Sequence, residues 1–300
     1  MDRALLAEHY PFESKYLDLG HGRLHYIDEG KGEPLVFVHG NPSWSFLFRG
    51  LIKDLRATHR CVALDHIGMG LSDKPGDDGY EYTLENRVKD LEALLAHLGL
   101  KDGLTFVLHD WGGMIGLAAT VRDPRRVSRL VLMNTAGFLL PPGGLLPWQL
   151  KLARGPLGEV LVRGFNAFSA GAARTCVTKA PMSPEVSALF TGPYGSWADR
   201  ISTLRFVQDI PLEPGDRAWA LAKATQDGLD TLKNVPKLVC WGEKDFVFDG
   251  KFLAEWRRRC PEAEFHTFPE AGHYVLEDEG PAVLAHVKSF LAAHPLKTAA

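Results

Sequence analysis

Nowhere does the sequence hold an uninterrupted apolar run of about eighteen residues, the length a membrane-crossing helix needs. Positive charge is not in excess either. The 34 Lys and Arg stand against 37 Asp and Glu, a formal net charge of −3, which removes the electrostatic basis for binding nucleic acid. Cysteine is scarce. Cys61, Cys176, Cys240 and Cys260 lie far apart, with no C-x-x-C pair and no histidine spacing of a zinc site. Reduced thiols in a cytoplasmic protein are the expectation. The stretch Met1 to Tyr10 is too polar for a signal peptide, which fits the same compartment, and peripheral contact with a membrane is compatible with it. Repeats and low-complexity linkers are also missing.

What is present is an ordinary globular composition, 45% hydrophobic and 24% charged over 300 residues. That is enough for one large domain with an insertion. Arg23 to Asp28 alternates apolar and polar side chains, as a half-exposed antiparallel strand does. From Pro34-Leu-Val-Phe-Val-His39 onward the style changes to continuous apolar runs, which suit strands buried on both faces of a parallel sheet. Such runs recur at Cys61–Asp65, Leu104–Leu108, Arg129–Met133, Lys237–Trp241 and, more weakly, Ala263–Phe268. Helical patterns lie between them. In Thr83 to Leu98, apolar residues fall at Leu84, Val88, Leu91, Leu94, Leu95 and Leu98 behind an N-capping threonine. Strands alternating with helices predict right-handed crossovers and an α/β fold with a mostly parallel sheet.

The alternation stops between about Phe138 and Leu212, where Pro141-Pro142-Gly143-Gly144 opens a stretch of helical pattern without strand runs. The organisation read from this is a core of residues 1–137 and 213–300 with a helical cap of residues 138–212. Trp148, Phe165, Phe168, Phe190, Trp197 and Phe206 fall in the cap and are expected to form mostly the cap's own core.

Ligands of open α/β sheets gather at the carboxyl ends of the strands, so polar residues just after the buried runs come first. Leu108-His109-Asp110-Trp111-Gly112-Gly113 sits between a strand and a helical run from Met114 to Val121. Asp110 there holds the place of serine in a G-x-S-x-G nucleophile elbow, with Gly112 on the far side and Leu108 departing from glycine on the near side. A helix N-cap is the plainer role for the same aspartate. Near the end, Ala271-Gly272-His273-Tyr274 offers a histidine, the side chain suited to take a proton near neutral pH. After the run ending at Trp241 comes Gly242-Glu243-Lys244-Asp245, where an acid can orient that histidine. Asp245 is the candidate, with Glu243 and Asp249 as near neighbours; Asn134, after the preceding strand, carries no charge to offer.

A carboxylate nucleophile attacks an electrophilic carbon and forms an ester, which water activated by His273 cleaves at the carboxylate's own carbonyl. It suits displacement of a good leaving group or opening of a strained ring better than peptide hydrolysis. Donors come from His39-Gly40-Asn41-Pro42, through backbone N–H groups and the Asn41 amide, and from the Trp111 indole. Nothing in this chemistry calls for a metal or a cofactor.

Together these residues resemble the haloalkane dehalogenase family of the α/β-hydrolase fold, with its H-G-N-P loop, H-D-W-G elbow, acid and late histidine under a helical cap. The likeness runs over essentially the whole chain. It implies Asp110 as nucleophile, His273 as base, Asp245 as supporting acid, and Asn41 with Trp111 as the leaving-group cradle; the acid at Asp245, with Asn41 as donor, looks like the third subfamily. Within that group, Leu64–Pro75, Asn134–Phe138, Pro193–Trp197 and Arg205–Pro211 look closest to the cis-β-lactone decarboxylases of bacterial long-chain olefin biosynthesis. The Trp, Phe and Leu content of the cap predicts an apolar pocket between cap and sheet for a small alkyl-chain substrate; the resemblance implies association with the other enzymes of that route, with haloalkane hydrolysis as the alternative. Epoxide hydrolases share the elbow but use two cap tyrosines, and this cap has Tyr194 alone. A non-catalytic binding module of the same fold would not need nucleophile, acid, base and donors in this order.

Overall fold

The apolar runs fold into the strands their pattern predicts. In the computed structural model, which describes residues 1–296, the strands are β1 (Lys15–Asp18), β2 (Arg23–Glu29), β3 (Pro34–Val38), β4 (Arg60–Leu64), β5 (Leu104–Asp110), β6 (Val127–Thr135), β7 (Lys237–Gly242) and β8 (Glu264–Phe268). They form one sheet in the order β1-β2-β4-β3-β5-β6-β7-β8. The first two pair antiparallel, and from β4 to β8 every neighbour is parallel. The short β1 is absent from the sequence reading, because four residues are too few to show a period.

Helices α1 (Arg3–His9), α2 (Arg49–Leu55), α3 (Leu84–His97) and α4 (Trp111–Arg122) precede β6, and α10 (Gly250–Arg259) and α11 (Val275–Ala293) accompany the last strands. Thr83 caps α3 as its position suggests, its hydroxyl accepting the Asn86 N–H at 3.3 Å. Between β6 and β7 run α5 (Trp148–Arg154), α6 (Ala167–Thr175), α7 (Pro184–Thr191), α8 (Ile201–Gln208) and α9 (Trp219–Gly228), without a strand. The last of these packs back onto α4. Among the described residues no helix is long and apolar enough to cross a membrane.

Two apolar layers fill the sheet's faces, one under α3 and α4 and one under α2 and α11. A smaller third core, of Leu146, Leu150, Ala153, Val162, Leu204 and Val207, holds the inserted helices together. The expectation for the cap aromatics is only half met. Phe190 and Phe206 are buried and Phe168 is half-buried, but Trp148, Phe165 and Trp197 lie on the outside. The reason is geometric. In α5, Leu150 and Ala153 face inward, so Trp148 and Leu152, one helical turn apart, share the outer face.

The tie between insertion and sheet is ionic as well as apolar. Arg87 of α3, fully buried, points Nη1 at Asp209 Oδ2 (3.3 Å) just past α8, and its guanidinium lies over the Phe206 ring at 3.6 Å. Asp209 also accepts the Leu84 N–H at 2.6 Å. Removing one partner of such a pair strands the other charge in a medium that solvates it poorly. Asp209→Ala should therefore destabilise the protein by about 3–5 kcal/mol, read as a lower midpoint in urea unfolding; an unchanged midpoint would show that Arg87 does not depend on it.

Candidate active site

Strand β5 ends in a forced turn. Asp110 has φ 54° and ψ −128°, a conformation non-glycine residues adopt only under constraint, and the next residue already begins α4. The strand thus runs two residues further than its apolar run suggests. The helix can start so close to the sheet because Gly112 faces the Val38 carbonyl, where a Cβ would overlap backbone. Leu108, the departure from glycine before the turn, is accommodated by Gly116, whose missing side chain leaves it space. The Asp110 carbonyl accepts the Thr135 hydroxyl of β6, which fixes the turn from the other side.

This turn aims the Asp110 carboxylate across the end of β3. Its Oδ1 accepts the Asn41 backbone N–H at 2.6 Å, and the Trp111 N–H also bonds the carboxylate. Gly40 stands so near that any side chain would run into the carboxylate. The other oxygen, Oδ2, lies 3.6 Å from His273 Nε2. On the far side of that ring, Nδ1 donates to Asp245 Oδ2 at 2.7 Å. Asp245 is itself held by the Val247 N–H (2.7 Å) and by the Asn134 amide (2.9 Å). The three side chains named from the sequence, Asp110, His273 and Asp245, thus meet in one buried line. Glu243 faces solvent and Asp249 caps α10, so neither neighbour reaches the ring.

Burial pushes the Asp110 carboxyl up to about 6, against the pull of His273 and the two N–H donors. For His273, burial disfavours the charged ring, but the Asp245 and Asp110 carboxylates outweigh it and hold its pKa above the usual histidine value. Asp245 is desolvated too, yet His273 and backbone N–H groups keep its carboxyl below the ordinary range.

Asn41 and Trp111 are placed differently from one another. The Asn41 amide gives one hydrogen to the Thr203 carbonyl of α8 at 3.0 Å, which leaves its second hydrogen for a ligand, and its Oδ1 is buried without a partner. The Trp111 indole makes no hydrogen bond among the described residues and packs against Phe206. Both line a cavity of about 270 Å³ that also takes in Asp110 and His273. Its walls are mostly apolar, with Phe138, Leu150, Phe168, Val207, Ile210 and Phe252 among them.

Several supports escaped the sequence reading. His109 Nε2–H donates to the His273 carbonyl at 2.9 Å; burial, with His273 close by, lowers its pKa to about 3 and keeps it neutral. His39 pins the donor loop, donating Nδ1–H to the Gly40 carbonyl (2.7 Å) and accepting the His66 N–H (3.1 Å). Histidine beside a motif carries no pattern that separates such structural duty from chemistry. Away from the cavity, Glu264, His266 and His286 come together at β8 and α11. The two rings stack face to face at 3.5 Å, so their in-plane lone pairs run parallel and do not converge on one ion.

A native pKa above the unfolded one means that the folded state holds the Asp110 proton more tightly. The stability this contributes is present below about pH 4, the unfolded value, and is lost as pH rises through about 6. Asp110→Asn, which cannot ionise, should raise the thermal midpoint at pH 8, by about 3 kcal/mol in stability, and give no gain at pH 4. Equal midpoints at pH 8 would contradict the desolvated carboxylate.

The alpha/beta hydrolase fold family matches residues 33–280. The cis-3-alkyl-4-alkyloxetan-2-one decarboxylase of Shewanella oneidensis is 52% identical over 94% of this chain and 89% of its own length. Its namesake from Xanthomonas campestris is 45% identical over 96% and 98%. Haloalkane dehalogenase 2 of Mycobacterium tuberculosis is 32% identical over 93% and 94%. Among solved structures, haloalkane dehalogenase DatA of Agrobacterium tumefaciens superposes with a TM-score of 0.83 at 25% identity, covering 94% of this chain and 96% of that one. The chain belongs to the α/β-hydrolase fold family, and within it to the group formed by the cis-3-alkyl-4-alkyloxetan-2-one decarboxylases and the haloalkane dehalogenases related to them.

Proposed function

We propose that this chain converts cis-3,4-dialkyl β-lactones into cis-olefins and carbon dioxide, with Asp110 as nucleophile and His273 and Asp245 completing its catalytic set. The observation that carries the reading is the step in identity, from 52% and 45% with the oxetanone decarboxylases to 32% with a dehalogenase. An apolar cavity closing over one reactive carboxylate suits a strained ring bearing alkyl chains.

In this reading Asp110 Oδ2 attacks the alkyl-substituted ring carbon that is bonded to the ring oxygen, not the carbonyl carbon. That carbon–oxygen bond breaks with its electron pair on oxygen, and a free carboxylate remains on the neighbouring carbon. Loss of carbon dioxide sends the released pair into the new C=C bond and expels the Asp110 oxygen, which regenerates the nucleophile. No water, proton or electron is consumed. Inversion at the first step followed by anti loss at the second keeps the two alkyl groups cis. Oδ1 stays on the Asn41 N–H, the Trp111 N–H keeps its bond to the carboxyl group, and the second Asn41 hydrogen and the Trp111 indole receive the departing carboxylate. With a haloalkane the same donors would hold the halide, and His273 would draw a proton from the water that cleaves the ester. The helices of residues 138–212 serve as the cap over a core of residues 1–137 and 213–300. We read the chain as a cytoplasmic enzyme of long-chain olefin biosynthesis, acting beside the other enzymes of that route.

Paired assays decide between substrates: olefin from a cis-dialkyl β-lactone followed by gas chromatography, and halide from a 1-bromoalkane by titration. Fast olefin formation with slow halide release is expected; the reverse would make the chain a dehalogenase. Asp110→Asn should lower either turnover by about 10³-fold or more, and a variant with full activity would remove the nucleophile assignment. Because attack requires the ionised carboxylate, kcat/KM should fall about tenfold per unit as pH drops below about 6. A profile flat down to pH 4.5 would contradict the raised carboxyl.

A further inference from the structure

Most large apolar side chains left exposed lie in one part of the molecule. Among the described residues, Leu145, Trp148, Leu152, Leu157, Val160, Phe165 and Trp197 all belong to the inserted helices, with Trp148 at 70% and Phe165 at 75% exposure. Elsewhere only Met1, Tyr16 and Phe246 are comparably open. Several of these residues adjoin one another. Trp148 and Leu152 are one turn apart on α5, α5 packs on the π-helical turn Glu159–Gly164, and the Arg163 guanidinium of that turn lies 4.8 Å from the Trp197 ring. Leu145 and Phe246 are at once exposed and part of the cavity wall, so the cavity opens beside this face.

The segment that carries most of this face, though not Trp197 with its neighbours Asp199 and Arg200, is one-sided in charge. Residues 138–184 hold five basic side chains and a single carboxylate, Glu159, in a chain whose net charge is −3. Arg154, Arg163 and Lys179 have carboxylate partners, whereas Lys151 and Arg174 are exposed and make no ion pair among the described residues. A second copy of this face would bring like charges together. An anionic lipid surface is complementary on both counts. Tryptophan settles at the headgroup level with its ring in the acyl boundary, and lysine extends its charge to phosphate from an apolar stem.

We propose that this face of the cap docks on anionic phospholipid bilayers, so that the cavity mouth opens at the membrane and lipophilic substrates enter from it. The proposal concerns the route of entry and holds for a lactone or a haloalkane alike. Binding of this kind combines buried apolar area with attraction to negative headgroups, and both parts can be removed separately.

The test is flotation of the full chain with phosphatidylcholine vesicles, with and without phosphatidylglycerol, without substrate. The protein should float with the phosphatidylglycerol vesicles and less so in high salt. Trp148→Ser combined with Phe165→Ser should lower partitioning about tenfold or more, and Lys151→Glu should weaken binding to the anionic vesicles alone. Circular dichroism and the thermal midpoint verify that each exposed-site variant is folded. Wild-type protein that stays unbound, or a double variant that floats as well as wild type, would overturn the proposal. So would a lack of flotation together with dimers that the double variant dissociates, which would make the face a contact between copies.

Discussion

A buried carboxylate, Asp110, facing a cavity that solvates it badly is the constraint around which the core is organised. The Asp110 charge survives burial because the Asn41 N–H takes one oxygen, the Trp111 N–H also bonds the carboxylate, and the His273 ring faces the other oxygen. Each support comes from a different strand end: Asn41 after β3, Trp111 after β5, His273 beyond β8. They can meet only if the sheet order places β5 beside β3 and the chain returns across β6 and β7, as it does. The same site therefore demands a positive φ at Asp110, glycines where the carboxylate and α4 approach backbone, and a hydroxyl from Thr135 to hold the turn. Local strain of this kind persists where the surroundings overdetermine it.

His273 carries the second half of the constraint. Its Nδ1–H is committed to Asp245, so Nε2 is the nitrogen that faces Asp110. Asn134 then has a use that its lack of charge does not exclude. With φ at 38°, it turns its amide to donate to Asp245 and to the Gly242 carbonyl, while its oxygen accepts the Gly242 N–H. One neutral side chain thereby joins the ends of β6 and β7 and fixes the acid's orientation.

Much of this was legible because buried parallel strands announce themselves as continuous apolar runs, and the side chains that meet at the cavity follow them. Asp110, Asp245 and His273, which the structure brings together, could be named from their places after such runs, and the strand-free stretch of helices from the break in alternation. What could not be read depends on distance in space. Nothing in the sequence separates His109, which supports a carbonyl, from His273, and nothing links Asn41 to Thr203 across the chain. The outward Trp148 and Phe165 were misjudged for a related reason: burial statistics describe single residues, whereas the cap's core is so small that aliphatic side chains fill it and leave the rings outside.

Helix α8 ties the inserted helices to the site. Its Thr203 carbonyl takes one hydrogen of the Asn41 amide, its Phe206 packs on Trp111, and Asp209 at its end meets the buried Arg87 of α3. Both side-chain donors of the site are thus indexed by a single cap helix, and that helix is indexed to the core by a buried charge pair. A shift of α8 along its axis would move both donors relative to Asp110 at once. The Arg87–Asp209 pair resists such a shift more sharply than apolar packing does, because guanidinium and carboxylate lose their mutual solvation as soon as they part. Its position, outside the cavity yet one helix away from both donors, makes it a device for donor placement as much as for stability.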